Sequence, residues 1–349
     1  MRPVEPTPLL APAEADRAAF QLDFDRAGNP VAPCLLLAAR PTSLDAAGTE
    51  LLAERMRASH RIVVLVARAG ESPALAPLVD AADVILAAEG TAVTGAVAVA
   101  DPLAAARDLA ARVEASPQAS VALAWLLRAG VQLPVPAAVA AESSVYSTLQ
   151  TGPVFRDWLT ARGAPRDPGP SGRTRVRRVG DELRITLARP GRRNAVDAAM
   201  RDSLRDALEI ARWDPTLRVT LDGEGPGYSA GGDLDEFGSA PDPATAHLLR
   251  VATSVGLLVH ELRDRVTVRV HGDCIGAGIE VPAFAGRIVA APGTRFRLPE
   301  VAMGLVPGAG GTVSIPRRVG RSRAAWLALT GEPIDAGTAL RWGLIDAIE

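Results

Sequence analysis

The 349-residue chain has no lysine: all 38 of its basic residues are arginine. Against 40 acidic residues this leaves a net charge of −2 and a pI of about 6.2, which argues against a polycationic nucleic-acid surface. The arginines are spread along the whole sequence, so the bias reads as composition more than as a dedicated anion site. Cysteine is almost absent. Cys34 and Cys274 stand far apart, without neighbours at metal-ligand spacing, which fits a reducing compartment. The four histidines show no metal spacing either. Long apolar runs are missing too: stretches such as 96–100 fall short of a membrane span, and Met1-Arg2-Pro3-Val4-Glu5-Pro6 lacks a basic region leading into an apolar one. A cytoplasmic protein without signal peptide or membrane contact is expected.

Hydrophobic residues make up 48% and charged residues 22%, the balance of a globular protein, and the length exceeds one average domain. The clearest break is at 163–173, where three prolines and three glycines prevent a helix or strand interior. Before it, strand-like runs at 34–39, 61–67, 84–88 and 91–98 lead into helical patterns at 102–115, 118–128, 135–151 and 153–161. After it, 175–179 and 183–187 form a hairpin around Gly180-Asp181. A helix is predicted over 197–212, where Met200, Leu204, Leu208 and Ala211 recur at helical spacing behind a capping Asp197. A strand at 218–221, a glycine-rich loop at 223–232, a helix near 244–263 and strands at 266–270 and 286–290 follow. Strands alternating with helices predict an α/β class with parallel strands.

Two carboxylates stand out. Glu280 closes Gly276-Ala277-Gly278-Ile279-Glu280, and Glu300 follows Leu298-Pro299 shortly before Pro307-Gly308-Ala309-Gly310-Gly311-Thr312. Burial in apolar surroundings lifts a carboxylate pKa toward neutrality, and exposed peptide N–H groups can hold a developing oxyanion, so the pair suggests a proton donor and a proton acceptor. A further loop, Tyr228-Ser229-Ala230-Gly231-Gly232-Asp233-Leu234, frees the backbone to approach a ligand. Alone, each glycine run reads as an ordinary turn. Their order behind the basic run Arg189-Pro190-Gly191-Arg192-Arg193-Asn194-Ala195 raises them above that.

With that order, the phrases RPGRRNAVD, YSAGGDLDEF, HGDCIGAGIE and RLPEVAMGLVPGAGGT, followed by Ile315-Pro316-Arg317, resemble the enoyl-CoA hydratase/isomerase, or crotonase, superfamily over about 175–349. The resemblance implies a crotonase-like spiral of ββα turns that binds an acyl-CoA thioester. Position by position, it implies an oxyanion hole from the amides of Gly232 and Ala277, the latter standing where many relatives have glycine. It places Glu280 as the group that activates water for attack on the β-carbon and Glu300 as the group that protonates the α-carbon. Arg192 or Arg193 falls in the family's basic stretch near the CoA phosphates. Ala195, Ala230, Asp233 and Leu234 fall beside adenine and pantetheine. The CoA thioester is implied as substrate, with no metal and no other cofactor, and the family's habit implies a homo-oligomer, trimer or hexamer.

The N-terminal half departs from the family's usual order. Relatives carry further helices after the spiral, whereas helical text of that kind stands here at 102–163. The expectation is a degenerate or rearranged tandem: 1–163 a contracted α/β fragment plus a helical cap at about 102–163, 164–174 a linker, and 175–349 the spiral core with the active site. The stripe Leu103, Ala106, Ala110 and Val113 must be buried, and 102–163 is expected to cover the core of the same chain or a neighbour. Tyr146, Phe155 and Trp158 would then touch substrate or merely pack. The reaction implied is reversible hydration of a 2-enoyl-CoA to a 3-hydroxyacyl-CoA. Isomerisation or C–C hydrolysis of an acyl-CoA, and non-catalytic acyl-CoA binding or scaffolding, are the alternatives.

Overall fold

The computed structural model describes residues 7–15, 18–39, 44–67, 75–166 and 173–349. Contacts divide the chain into two units, Met1–Ala129 with Gly320–Thr330, and Gly130–Val319 with Gly331–Glu349. In the first unit, Leu9–Leu10 (β1), Cys34–Ala39 (β2), Ile62–Ala67 (β3), Val84–Ala88 (β4) and Val97–Val99 (β5) form a sheet in that order, with every neighbour parallel. Every residue of β2 and β3 is buried, as unbroken apolar runs in a covered parallel sheet require. Leu35, Leu37, Val63, Leu65 and Ile85 share a core with Leu52 and Met56 of the helix Ala46–Arg57 (α1) and Leu78 of Ala76–Ala81 (α2). The helices Pro102–Ala115 (α3) and Arg321–Thr330 also pack on this sheet. The buried stripe of α3 is Ala106, Leu109, Ala110 and Val113, with Leu109 in place of the expected Leu103. Pro117–Gly130 (α4) follows directly.

The second unit opens with the helices Val135–Leu149 (α5) and Pro153–Arg162 (α6). Thr174–Val179 (β6) and Glu182–Leu187 (β7) form the predicted antiparallel hairpin. Asp197 caps Ala198–Trp213 (α7) through the Met200 amide at 2.8 Å. Arg218–Gly223 (β8) then pairs with β7, in parallel. The helix predicted near 244–263 is two, Pro243–Ala252 (α8) and Val255–Glu261 (α9), because Ser254 takes an N-cap role and bonds the Leu257 amide. Val266–Val270 (β9) adds to β8, and Arg287–Ala290 (β11) adds to β9. Each of these strands turns a corner into a short second one: Asp273–Ile275 (β10) after β9, and Arg295–Arg297 (β12) after β11. Ser229, beyond β8, stacks on Cys274, and Cys274 stacks on Phe296. The register therefore repeats from turn to turn in both layers, which is the spiral of ββα turns the sequence predicts. The remaining elements of use below are Ala277–Glu280 (α10) and Gly311–Val319 (α11).

The boundaries differ from the sequence expectation. The first unit ends at Ala129, not at 163, because α3 buries its stripe on the first sheet whereas α5 packs on α8 and α11. Residues 320–330, expected within the 175–349 core, join the first unit, where Ser322 Oγ accepts from the Ile85 amide at 2.9 Å. Of the expected 164–174 linker, 167–172 lie outside the described residues.

Candidate active site

The second unit builds its site around one turn. Gly276 has φ +50° and ψ −123°, and it starts α10, so that its carbonyl accepts the Ile279 and Glu280 amides at 2.8 and 2.9 Å. A side chain at this position would collide with Glu300 Oε1, and its Cβ would lie 3.7 Å from Glu280 Oε1. Glycine is needed twice over, for the backbone angle and for the space. Glu280 and Glu300 therefore converge on one small volume, where they are 2% and 8% exposed.

The glycine turn 308–312 holds Glu280 and a carboxylate that the sequence did not single out. Glu280 Oε2 accepts from the amides of Ala309 and Gly311, at 2.7 and 2.9 Å. The alternate amides, Gly310 and Thr312, donate to Glu142 of α5 at 2.7 and 2.8 Å, and the Thr312 hydroxyl adds a bond of 2.7 Å. Glu142 is 1% exposed. Its signal in the sequence is register: Ala138 and Val139 before it and Tyr146 after it lie on the same buried helix face, a poor place for a solvated glutamate.

Three buried carboxyls thus share the site, and all three pKa values rise. Burial, then the charge of Glu280, lifts Glu142 against the Thr312 and Gly310 hydrogen bonds. Burial lifts Glu280 against its two amide bonds. Glu300 is raised well above the carboxylate range by burial and then by Glu280, and its Oε2 is buried without a hydrogen-bond partner. A proton on Glu300 is the natural consequence.

A cavity of about 460 Å³ in the same unit is lined by Gly232, Asp233, Ala277, Gly278, Glu142 and Tyr146, among others. Gly231, at φ +87°, lets the loop press against the next turn; a Cβ there would be 2.6 Å from Ile275 O. Gly232 and Ala277 thus line one cavity, and the amide of neither donates to a protein acceptor among the described residues. Ala277 is helical, so its Cβ introduces no backbone strain. Neither Glu280 nor Glu300 is among the lining residues. The Tyr146 ring packs against Gly308 beside them.

The expected CoA-binding residues fare differently. Arg192 is committed to Asp235 at 2.5 Å and lies 3.7 Å from Asp233. Asp233 also pairs with Arg189 at 2.7 Å, Arg189 with Asp197 at 3.3 Å, and Asp197 with Arg173 at 2.8 Å. This chain of buried guanidinium forks locks the loop that carries Gly232. Arg193 is exposed. Of the four remaining residues Asp233 alone lines the cavity; Ala195 and Ala230 act through backbone, Ala195 O accepting from Arg189 and the Ala230 amide donating to Arg193 O, and Leu234 opens a 3-10 turn. Tyr146 lines the cavity, whereas Phe155 and Trp158 stack on each other at 5.7 Å outside its lining. Among the described residues there is no cluster of histidine, cysteine or acidic side chains arranged to hold a metal ion, and no helix is long and apolar enough to cross a membrane.

The C-terminal half of the chain is similar to known proteins. Residues 182–349 match the family described as enoyl-CoA hydratase/isomerase. The chain is 39% identical over 177 residues to cyclohexa-1,5-dienecarbonyl-CoA hydratase of Thauera aromatica, across 50% of this chain and 66% of that protein. It is 34% identical over 167 residues to 2,3-dehydroadipyl-CoA hydratase of Escherichia coli strain K12, across 48% and 65%. The chain thus spans just under two thirds of the length of these curated relatives. Among solved structures, enoyl-CoA hydratase from Thermoplasma volcanium GSS1 is 31% identical, over 51% of this chain and 72% of that one, with a TM-score of 0.48.

Proposed function

We propose, from the match of residues 182–349 to the enoyl-CoA hydratase/isomerase family, that the second unit adds water reversibly across the double bond of a 2-enoyl-CoA. The thioester oxygen sits at the Gly232 and Ala277 amides. Glu280 takes a proton from water as the water oxygen bonds to the β-carbon, and the displaced electron pair moves onto the thioester oxygen as an enolate. Glu300 then gives its proton to the α-carbon and the carbonyl re-forms, so one H and one OH have been added.

What supports this division of labour is the difference in hydrogen bonding. Glu280 receives two amide bonds, which favour its charged form, while Glu300 Oε2 receives none. The two amide bonds thus hold Glu280 nearer its ionised form than Glu300 beside it. The single observation that carries the reading is the convergence of both carboxyls on Gly276, one residue before an uncommitted amide. Loss of enoyl-thioester absorbance, followed for wild type, Glu280→Gln and Glu300→Gln, tests it; hydration that survives both substitutions would sink it. The first unit is, on this reading, a contracted copy of the same architecture, supported by its consecutive parallel strand order.

A second reading, acyl-CoA binding without turnover, draws on the absence of both glutamates from the cavity lining. Thermal stabilisation by CoA esters with no turnover across a varied enoyl panel would favour it.

A further inference from the structure

Arg250 of α8 is the exception among the charged side chains that line the cavity. Asp197 and Asp233 are neutralised by buried arginines, Arg201 pairs with Asp202 at 2.7 Å, and Glu142 and Glu236 accept from backbone amides. Arg250 has no carboxylate within ion-pair distance among the described residues. It is held instead by neutral groups on α5. Its Nη1 donates to Ser147 Oγ at 3.0 Å and Ser143 Oγ at 3.2 Å, with Ser143 O at 3.4 Å, and its guanidinium lies 4.2 Å above the Tyr146 ring. His247 Nδ1 reaches the same Ser143 hydroxyl at 3.0 Å.

Among the described residues, all the acceptors of Arg250 converge on one nitrogen, and Nε and Nη2 have none. Taking a guanidinium partly out of water without a counter-ion is costly, and serines and a π face offset only a part of that cost. The neighbouring groups fix its orientation, while Glu142 acts on its charge from beyond ion-pair distance. Nε and Nη2 can therefore donate to an anion brought by a ligand. The position also discriminates. Arg250 rests on Tyr146, whose ring packs on Gly308, so the cation is separated by one aromatic ring from the turn that holds Glu280 and Glu142. It stands apart from the reacting atoms while lining the same cavity as Gly232 and Ala277.

We infer that the cavity selects acyl groups that end in a carboxylate, and that Arg250, oriented by Ser143, Ser147 and Tyr146, binds that carboxylate as a specificity residue. The inference rests on the proposed acyl-CoA reading of the site. Its test is made first on binding, so that it is separable from turnover. Calorimetry would compare a saturated acyl-CoA with a terminal carboxylate, the methyl-ended ester of equal length, and free CoA, each with wild type, Arg250→Gln and Arg250→Lys. The wild type is expected to bind the carboxylated ester about 10-fold or more tighter than the methyl-ended one. Arg250→Gln should abolish that ratio, and Arg250→Lys, which keeps the charge without the fork, should recover a part of it. The wild-type ratio is readable even if a variant fails to fold. Equal binding of both esters by wild type overturns the inference. So does a loss on free CoA as large as that on the carboxylated ester, which would assign Arg250 to the CoA phosphates. Selective binding with no hydration of the matching 2-enoyl ester would uphold the inference while refuting the hydratase reading.

Discussion

The two units bury acidic side chains in opposite ways. In the first, Asp83 is 1% exposed and fully answered: Arg128 Nε and Nη2 reach its two oxygens at 2.8 and 2.5 Å, and the Val63 amide donates at 2.8 Å. In the second, Glu142, Glu280 and Glu300 are buried together, no arginine neutralises them within ion-pair distance among the described residues, and the charge of Glu280 raises the pKa of the other two. Both units stack consecutive parallel strands, so the sheet is not what distinguishes them. A buried acid with a cation fixes structure, whereas buried acids held only by amides keep a proton in play at neutral pH. Arg250 is the same device with the sign reversed.

The contrast can be broken most forcefully at the unpaired acids. Glu280→Gln and Glu300→Gln should each lower kcat by about 10²–10⁴-fold, with an unchanged far-UV spectrum; a change under tenfold would make these residues structural, like Asp83. Next in size is Asp83→Asn, which leaves Arg128 buried without its partner and should cost about 3–5 kcal/mol in denaturant unfolding. A cost below 1 kcal/mol there would remove the structural side of the comparison. The third effect is a pH dependence with a definite sign. Relative to the ordinary carboxylate value of 4.5, folding raises Glu280 to about 7 and Glu142 to about 8. The native state holds those protons more tightly than the unfolded chain, so the stability they contribute is complete below pH 4.5 and is lost as pH rises through 7 to 8. Glu142→Gln should flatten the fall of Tm across that window; an unaltered slope would show that Glu142 does not titrate there. The smallest effect belongs to an exposed pair. Arg57→Gln breaks a 3.0 Å bridge to Glu50 between half-exposed side chains and should change stability by less than about 1 kcal/mol.

Much of the second unit is legible in the sequence because its turns need particular residues. Gly276 is required by a positive φ and by the carboxylate against it, whereas the oxyanion role proposed for the Gly232 and Ala277 amides rests on the family resemblance. Glu142 escaped because a glutamate in a helical run normally reads as solvated, and its partners lie about 170 residues away, at Gly310 and Thr312. Only the apolar register of α5 marked it. Arg192 shows a related limit: the sequence displays a basic run but not that Asp235 holds one of its guanidiniums. The unit boundary failed on packing too. Proline and glycine at 163–173 interrupt the backbone, yet α5 and α6 pack with the elements beyond that break. Local chemistry marks where a chain can bend, and long-range burial decides which sides of the bend belong together.

The proton delivery proposed for Glu300 is the step at which a neutral buried acid differs most from a paired one. Incubation of a 2-enoyl-CoA in D₂O with wild type should place one deuterium on the α-carbon of the 3-hydroxyacyl-CoA, and Glu300→Gln should slow that labelling by about 10²-fold or more. Labelling at the wild-type rate in Glu300→Gln would contradict the account.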